Sequence, residues 1–86
     1  MGFNLKTLED TFMSAYRNTV PFVAVRVRVE GVKGDEFIIN PHANILSKLE
    51  YYKQAYNHNL TLKSNENIRI VSVAYGYTFD EIHRKL

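Results

Sequence analysis

The sequence predicts a single α+β domain over residues 1–86: a three-stranded, mainly antiparallel sheet, two long helices on one face, and a short C-terminal helix. Three observations support this. Valines alternate with other residues between positions 23 and 29, which is the period-two pattern of a strand. Two segments repeat apolar residues at helical spacing, and polar turns separate the segments. The predicted order is α-β-β-α-β-α.

The first helix is predicted over residues 4–17. Asn4 is its expected N-cap, because a short polar side chain there accepts a free backbone N–H of the first turn. The segment before Pro21 ends the helix. Polar residues cover the outer side of this helix. The apolar stripe consists of Leu5, Leu8, Phe12, Ala15 and Tyr16.

The valine strand, residues 23–29, continues into a glycine-containing turn at residues 31–34 and a second strand at residues 36–39. This pattern is typical of an antiparallel hairpin. The valine side chains are expected to face the two long helices. The opposite alternation carries Arg26 and Arg28, about 6.6–6.8 Å apart by the rise of a strand. We expect both arginines to lie uncovered, on the side away from the long helices.

The middle helix is predicted to begin with Asn40 as N-cap and Pro41 as its first residue. A short extended piece at residues 60–63 and a third strand at residues 68–75 follow, and Thr78 caps the short terminal helix. A right-handed crossover from strand two to a parallel strand three favours the strand order 2-1-3. The buried stripe of the middle helix is Ile45, Leu49, Tyr52 and Tyr56.

Composition and charge exclude several classes of protein. The chain is 45% hydrophobic and 23% charged, as in ordinary globular domains. Its formal net charge of +2 is too small to indicate nucleic-acid binding. The absence of cysteine excludes disulfides, thiolate metal sites and a cysteine nucleophile. No apolar run suits a signal peptide or a membrane span, so we expect a cytoplasmic protein without membrane association.

No residues have the spacing of an active site, so we expect no catalysis, no metal and no cofactor. His42 and His58 lie at opposite ends of the middle helix, about 24 Å apart by helical rise. His83 is alone on the terminal helix. None of the serines has the Gly-x-Ser-x-Gly context of a nucleophile elbow. A binding role is therefore the more economical hypothesis.

The open face of the sheet is the predicted binding surface. Two guanidinium groups held side by side can engage a pair of carboxylates or phosphates. A third arginine lies on the same face or at its edge, depending on the register of strand three. Two tyrosines near the end of that strand would add stacking or hydroxyl contacts. The predicted partner-binding residues are Arg26, Arg28, Arg69, Tyr75 and Tyr77.

Two alternatives remain for this face. In the first, the arginines only keep the sheet soluble and pair with Glu30 and Glu36 across the hairpin. In the second, the face joins two copies of the chain. Apolar residues of strands two and three mix there with arginine and tyrosine, which is the composition of an interface core. A homodimer and a different protein partner explain that mixture equally well.

Three runs of sequence resemble a family of small phage proteins. The runs are FIINP at residues 37–41, KLEYYKQAYN at residues 48–57 and IRIVSVAYG at residues 68–76. Similar proteins are encoded in the early or accessory regions of phages and prophages of Gram-positive bacteria. The resemblance implies a protein that inhibits or redirects a bacterial host factor by stoichiometric binding. Host-defence components such as CRISPR effectors are among such factors.

The resulting expectation is a non-enzymatic phage-type accessory protein that binds and modulates a bacterial host protein, in the manner of an anti-CRISPR inhibitor. The alternative is an anion-binding module for single-stranded nucleic acid or a nucleotide signal. That alternative predicts binding that weakens steeply with salt, because phosphate contacts release counterions. An enzyme is the third class, and it would need an acid/base pair that the sequence does not show.

Overall fold

The computed structural model describes residues 2–86; Met1, which the predicted domain 1–86 includes, lies outside the described residues. The α+β class is confirmed. The elements are α1 (Leu5–Arg17), β1 (Phe22–Val29), β2 (Glu36–Pro41), a 3-10 turn (His42–Asn44), α2 (Ile45–Ala55), β3 (Thr61–Leu62), β4 (Asn65–Gly76) and α3 (Phe79–Lys85).

Within residues 2–86, four strands form one antiparallel sheet in the order β2-β1-β4-β3. The prediction of three strands is wrong, because the extended piece around Thr61 pairs with the first half of β4 as a fourth strand. The Ile70 N–H extends this pairing by donating to the Leu60 carbonyl at 3.0 Å. The three longer strands have the predicted order, with the valine strand in the centre.

The valine face of the sheet packs against α1 and α2, as predicted. Both helices place their apolar stripes on the same core, because residues three and four apart lie on one side of a helix. Each large apolar side chain that is fully buried contributes about 1.5–3 kcal/mol. The core includes Leu8, Phe12, Ala15, Val23, Val25, Val27, Ile45, Leu49, Tyr52 and Ile70.

The opposite face is only partly covered. Directly opposed residues of neighbouring strands point to the same side of a sheet, and Ala24 is opposed to Ala74 there. Both alanines are buried although they face away from α1 and α2. The terminal helix α3 covers them, and its Ile82 is fully buried. The same face beyond Arg26 has no covering element within the described chain.

The start of α2 differs from the prediction. Asn40 and Pro41 are the last residues of β2, so their predicted roles as N-cap and first helical residue are wrong. The buried Asn40 side chain instead donates to the Val23 carbonyl at 3.4 Å, across the hairpin. Proline is compatible with this position because an edge strand does not need every backbone N–H.

Candidate docking surface

A β-bulge decides where the third predicted arginine lies. Between β1 and β4 the register shifts after the pair of Arg26 and Ser72, so that Val71 is an extra residue in β4. Arg28 and Arg69 become direct cross-strand partners as a result. In an unbroken register, Arg69 would point to the valine face instead. The bulge therefore places Arg69 on the open face, where it is exposed.

The expectation that Arg26 lies uncovered is wrong. Its Nη1 donates to the backbone carbonyl of Leu86 at 2.7 Å, at the end of α3. Its Nε lies 3.1 Å from Asp35 Oδ2, at ion-pair distance but without the geometry of a hydrogen bond. Only 30% of its side chain is exposed. Arg26 therefore connects the sheet to the chain's own C-terminal segment.

Asp35 is the carboxylate that neutralises both arginines of β1. Arg28 Nε and Nη2 donate to its two carboxylate oxygens, each at 3.0 Å. The hydrogen bond from Arg28 holds the pKa of Asp35 below its usual value. The acids that the sequence suggested as partners, Glu30 and Glu36, do not take this role. The predicted arginine pair is thus already bound to a single intramolecular acid.

Tyr75 and Tyr77 do not join the arginines. Tyr75 is opposed to Val23, so its side chain points to the valine face, where it packs half-buried against the core. Lys85 donates to the Tyr75 carbonyl at 2.9 Å, at the edge of β4. Tyr77 is 62% exposed just before α3. The predicted binding residues are therefore distributed over both ends of the sheet and both of its faces.

The uncovered end of the open face forms a shallow depression of about 250 Å³. We call it the charged depression, and its polar lining is Arg28, Arg69, Glu30, Glu66, Thr61 and Asn67. Two arginines and two glutamates give it both signs of charge. Within the described part of the chain, Arg69 forms no ion pair and no side-chain hydrogen bond.

The covered end of the same face carries a row of rings that the sequence interpretation missed. Phe79 of α3 packs against Phe22 with ring centroids 5.0 Å apart. One helical turn later, His83 packs against Phe37, also at 5.0 Å. Because residues i and i+4 are neighbours on a helix surface, the two ring pairs lie side by side along α3, and we call these four rings the aromatic row. Phe79 and Phe37 remain 55% and 43% exposed.

The titratable groups do not assemble a reactive centre. Burial raises the pKa of Tyr52 to about 12, and within the described residues its hydroxyl has no hydrogen-bond partner, although Asn40 is nearby. His42 stacks on the Tyr16 ring, with centroids 5.4 Å apart. Among residues 2–86, no three His, Asp or Glu side chains are grouped to hold a metal ion. None of the helices in that range has the length and apolarity needed to cross a membrane.

Comparison with known proteins finds no matching family model, no matching curated protein and no matching solved structure. Two surfaces of the chain are candidates for binding. The aromatic row offers exposed apolar area where α3 packs on the sheet. The charged depression offers two arginines and two glutamates at the other end of the same sheet face.

Proposed function

We propose that this protein is a non-enzymatic binding module that docks onto a partner protein through the aromatic row. The observation that carries the proposal is the partial exposure of Phe79 and Phe37, which each belong to one of the two neighbouring ring pairs. Large apolar rings that remain in contact with water lose part of the hydrophobic stabilisation that burial would provide. Aromatic residues are enriched in interface cores, where a few of them contribute most of the binding energy.

The row is also held in place before any partner arrives. Two of its rings belong to the sheet and two to α3, and each contact joins one ring of each element. A preformed row loses little conformational entropy on binding. This distinguishes it from exposed side chains on a flexible loop, which must be ordered first.

The charge around the row indicates what the partner surface looks like. The last turn of α3 carries His83, Arg84 and Lys85, and Arg84 is exposed. Complementary potentials steer association and determine which partners fit. The first turn of the same helix carries Asp80 and Glu81, and Lys85 is paired with Glu81 at 3.0 Å. We therefore expect the partner to present an apolar groove that is bordered by side chains of both charges.

The sequence resemblance to phage accessory proteins suggests that this partner is a bacterial host protein. Components of host defence, such as CRISPR effectors, are among the partners that the resemblance implies. Stoichiometric binding would modulate such a protein without any chemical step. The anion-binding alternative has less support, because Glu30 and Glu66 line the charged depression together with the arginines, and Arg28 is already paired.

The decisive experiment compares exposed aromatic residues on different surfaces. Tagged wild-type protein and the Phe37→Ala, Phe79→Ala and Tyr51→Ala variants would be used to capture proteins from a bacterial lysate. Tyr51 is the matched control, because it is 49% exposed but lies on α2, on the other side of the sheet. A captured protein counts as the partner only if wild type and Tyr51→Ala retain it and both Phe variants lose it.

Calorimetry with the purified partner then gives the magnitude. An interface residue that contributes 2 kcal/mol or more corresponds to a loss of affinity of about 30-fold when it is truncated. Because Phe79 packs on Phe22, thermal unfolding of each variant must show that the fold is retained. Equal affinity of both folded Phe variants and wild type would refute the aromatic row as the docking surface.

A further inference from the structure

We propose that the charged depression is a self-association site, at which two copies of the chain dock face to face about a two-fold axis. The site lies at the opposite end of the sheet face from the aromatic row, so this proposal does not depend on the proposed function. Its basis is the order in which the positive and negative side chains follow one another along the strands.

The charges form two rows that run across the strands. Arg28 of β1 and Arg69 of β4 are direct cross-strand partners and make up the positive row. Glu30 follows Arg28 by two positions, about 6.6–6.8 Å further along the sheet. Its N–H donates to the Asn67 carbonyl at 2.8 Å, so the strand pairing continues to this level. Glu66, beside Asn67, completes the negative row at the same end of the depression.

A second copy fits this pattern if it is turned about an axis that lies parallel to the sheet and perpendicular to the strands. Such a rotation reverses the direction along the strands but keeps the order across them. It therefore places Arg69 over Glu66 of the second copy, and Arg28 over Glu30 of the second copy. The reverse contacts form by symmetry, as in every two-fold interface between identical chains.

The isolated chain leaves this pattern unsatisfied. Two arginines that are directly opposed on neighbouring strands repel each other. Arg28 is compensated by Asp35, at 3.0 Å. Arg69 has no acid within 4.0 Å in the described chain. Glu66 lines the same depression but does not pair with it. A carboxylate from a second copy would compensate Arg69. The half-buried Val71, which the bulge adds to the lining on the side of Arg69 away from Glu66, supplies apolar area at the margin of the contact.

A charge-swap experiment tests the proposal with the protein alone. Light scattering after gel filtration would compare wild type, Arg69→Glu, Glu66→Arg and an equimolar mixture of the two variants, at about 0.05 M ionic strength, where exposed charges are weakly screened. We expect wild type to approach twice the chain mass of 10.0 kDa as its concentration rises. Each variant alone brings like charges together and should remain at the monomer mass. The mixture should regain the dimer mass, because its two chains are complementary.

Arg17→Glu is the control for charge reversal itself, since Arg17 is exposed at the end of α1 and outside the depression. It should dimerise like wild type. A wild-type protein that stays monomeric up to about 1 mM, where association by about 4 kcal/mol would be visible, overturns the proposal. So does a dimer that survives both single reversals, or a mixture that remains monomeric. None of these results bears on the aromatic row, whose test uses a different partner and different residues.

Discussion

The two ends of the open sheet face belong to the same strands but have opposite character. At one end, Ala24 and Ala74 are buried under α3. At the other end, Arg28 and Arg69 are exposed to water. Small side chains let a helix approach the sheet closely, whereas long charged side chains occupy that space and remain hydrated. The boundary between the covered and the open half therefore follows the side chains of β1 and β4.

The covered half depends on the packing of α3 against the sheet. A helix of seven residues is too short to be stable in isolation. The buried Ile82 provides its apolar contact, and hydrogen bonds from Lys85 to the Tyr75 carbonyl and from Arg26 to the Leu86 carbonyl fasten its end. The aromatic row exists only while α3 is docked. The charged depression needs only the strands.

The largest expected effect is that of removing the apolar contact of α3. Ile82→Ala should lower the free energy of unfolding by about 2–4 kcal/mol, because a fully buried isoleucine is lost and a cavity remains. Val71→Ala is the control in the open half, where the side chain is only half-buried, and it should cost about 1 kcal/mol. Urea unfolding of both variants measures the difference.

A second measurement in the same variants tests the proposed independence of the two ends. Ile82→Ala should weaken any binding through the aromatic row but leave the oligomeric state unchanged. Equal stability losses for Ile82→Ala and Val71→Ala would show that α3 contributes no more to the fold than the edge of the open half does.

The comparison also separates what the sequence predicts from what it does not. Two of the three predicted N-caps are confirmed: Asn4 accepts the Thr7 N–H, and Thr78 accepts the Glu81 N–H, whereas Asn40 lies in β2. The valine alternation correctly predicted the strand β1 and the face that it turns to the core. These features depend on residues within a few positions of one another, and their physical causes can be read from the chain directly.

The candidate site depended on tertiary facts that no local pattern contains. A single extra residue, Val71, decides which face Arg69 occupies. Asp35 lies in the hairpin loop, and nothing in its spacing indicates that it would bind both arginines of β1. The terminal helix could be predicted from its N-cap, but its docking on the alanine half could not, and so Phe37 and Phe79 were not recognised as parts of one surface.

A smaller effect is expected from Gly76 in β4, which lies against the Glu81 side chain of α3. A methyl group there would lie 2.9 Å from Glu81 Oε1, the atom that accepts the Tyr77 N–H at 2.7 Å. Gly76→Ala should therefore displace Glu81 and cost about 1 kcal/mol, the net value of an ordinary hydrogen bond. The backbone at this position requires no positive φ, so strain does not contribute.

A double-mutant cycle isolates this cause. In a Glu81→Ala background the obstructing carboxylate is absent, and Gly76→Ala should become neutral or slightly stabilising, since alanine restricts the unfolded chain more than glycine does. The same loss of stability in both backgrounds would mean that another neighbour, and not Glu81, limits the space at Gly76.

The smallest effect concerns Asp35, which contacts Arg26 of the covered half and Arg28 of the open half. Asp35→Asn removes both ion pairs and should lower the melting temperature slightly at pH 7. Arg28 holds the pKa of Asp35 below its usual value of 3.8, so the folded state binds this proton less readily than the unfolded state. The stabilisation is therefore complete above the unfolded pKa and is lost as the pH falls through the lower folded pKa.

Thermal unfolding of wild type and Asp35→Asn should show a constant difference in melting temperature from pH 7 to about pH 5, and the difference should shrink as the pH is lowered further. A difference that persists unchanged in acid would mean that Asp35 acts through the packing of the hairpin loop and not through its charge, and the two halves of the face would then not be coupled by this carboxylate.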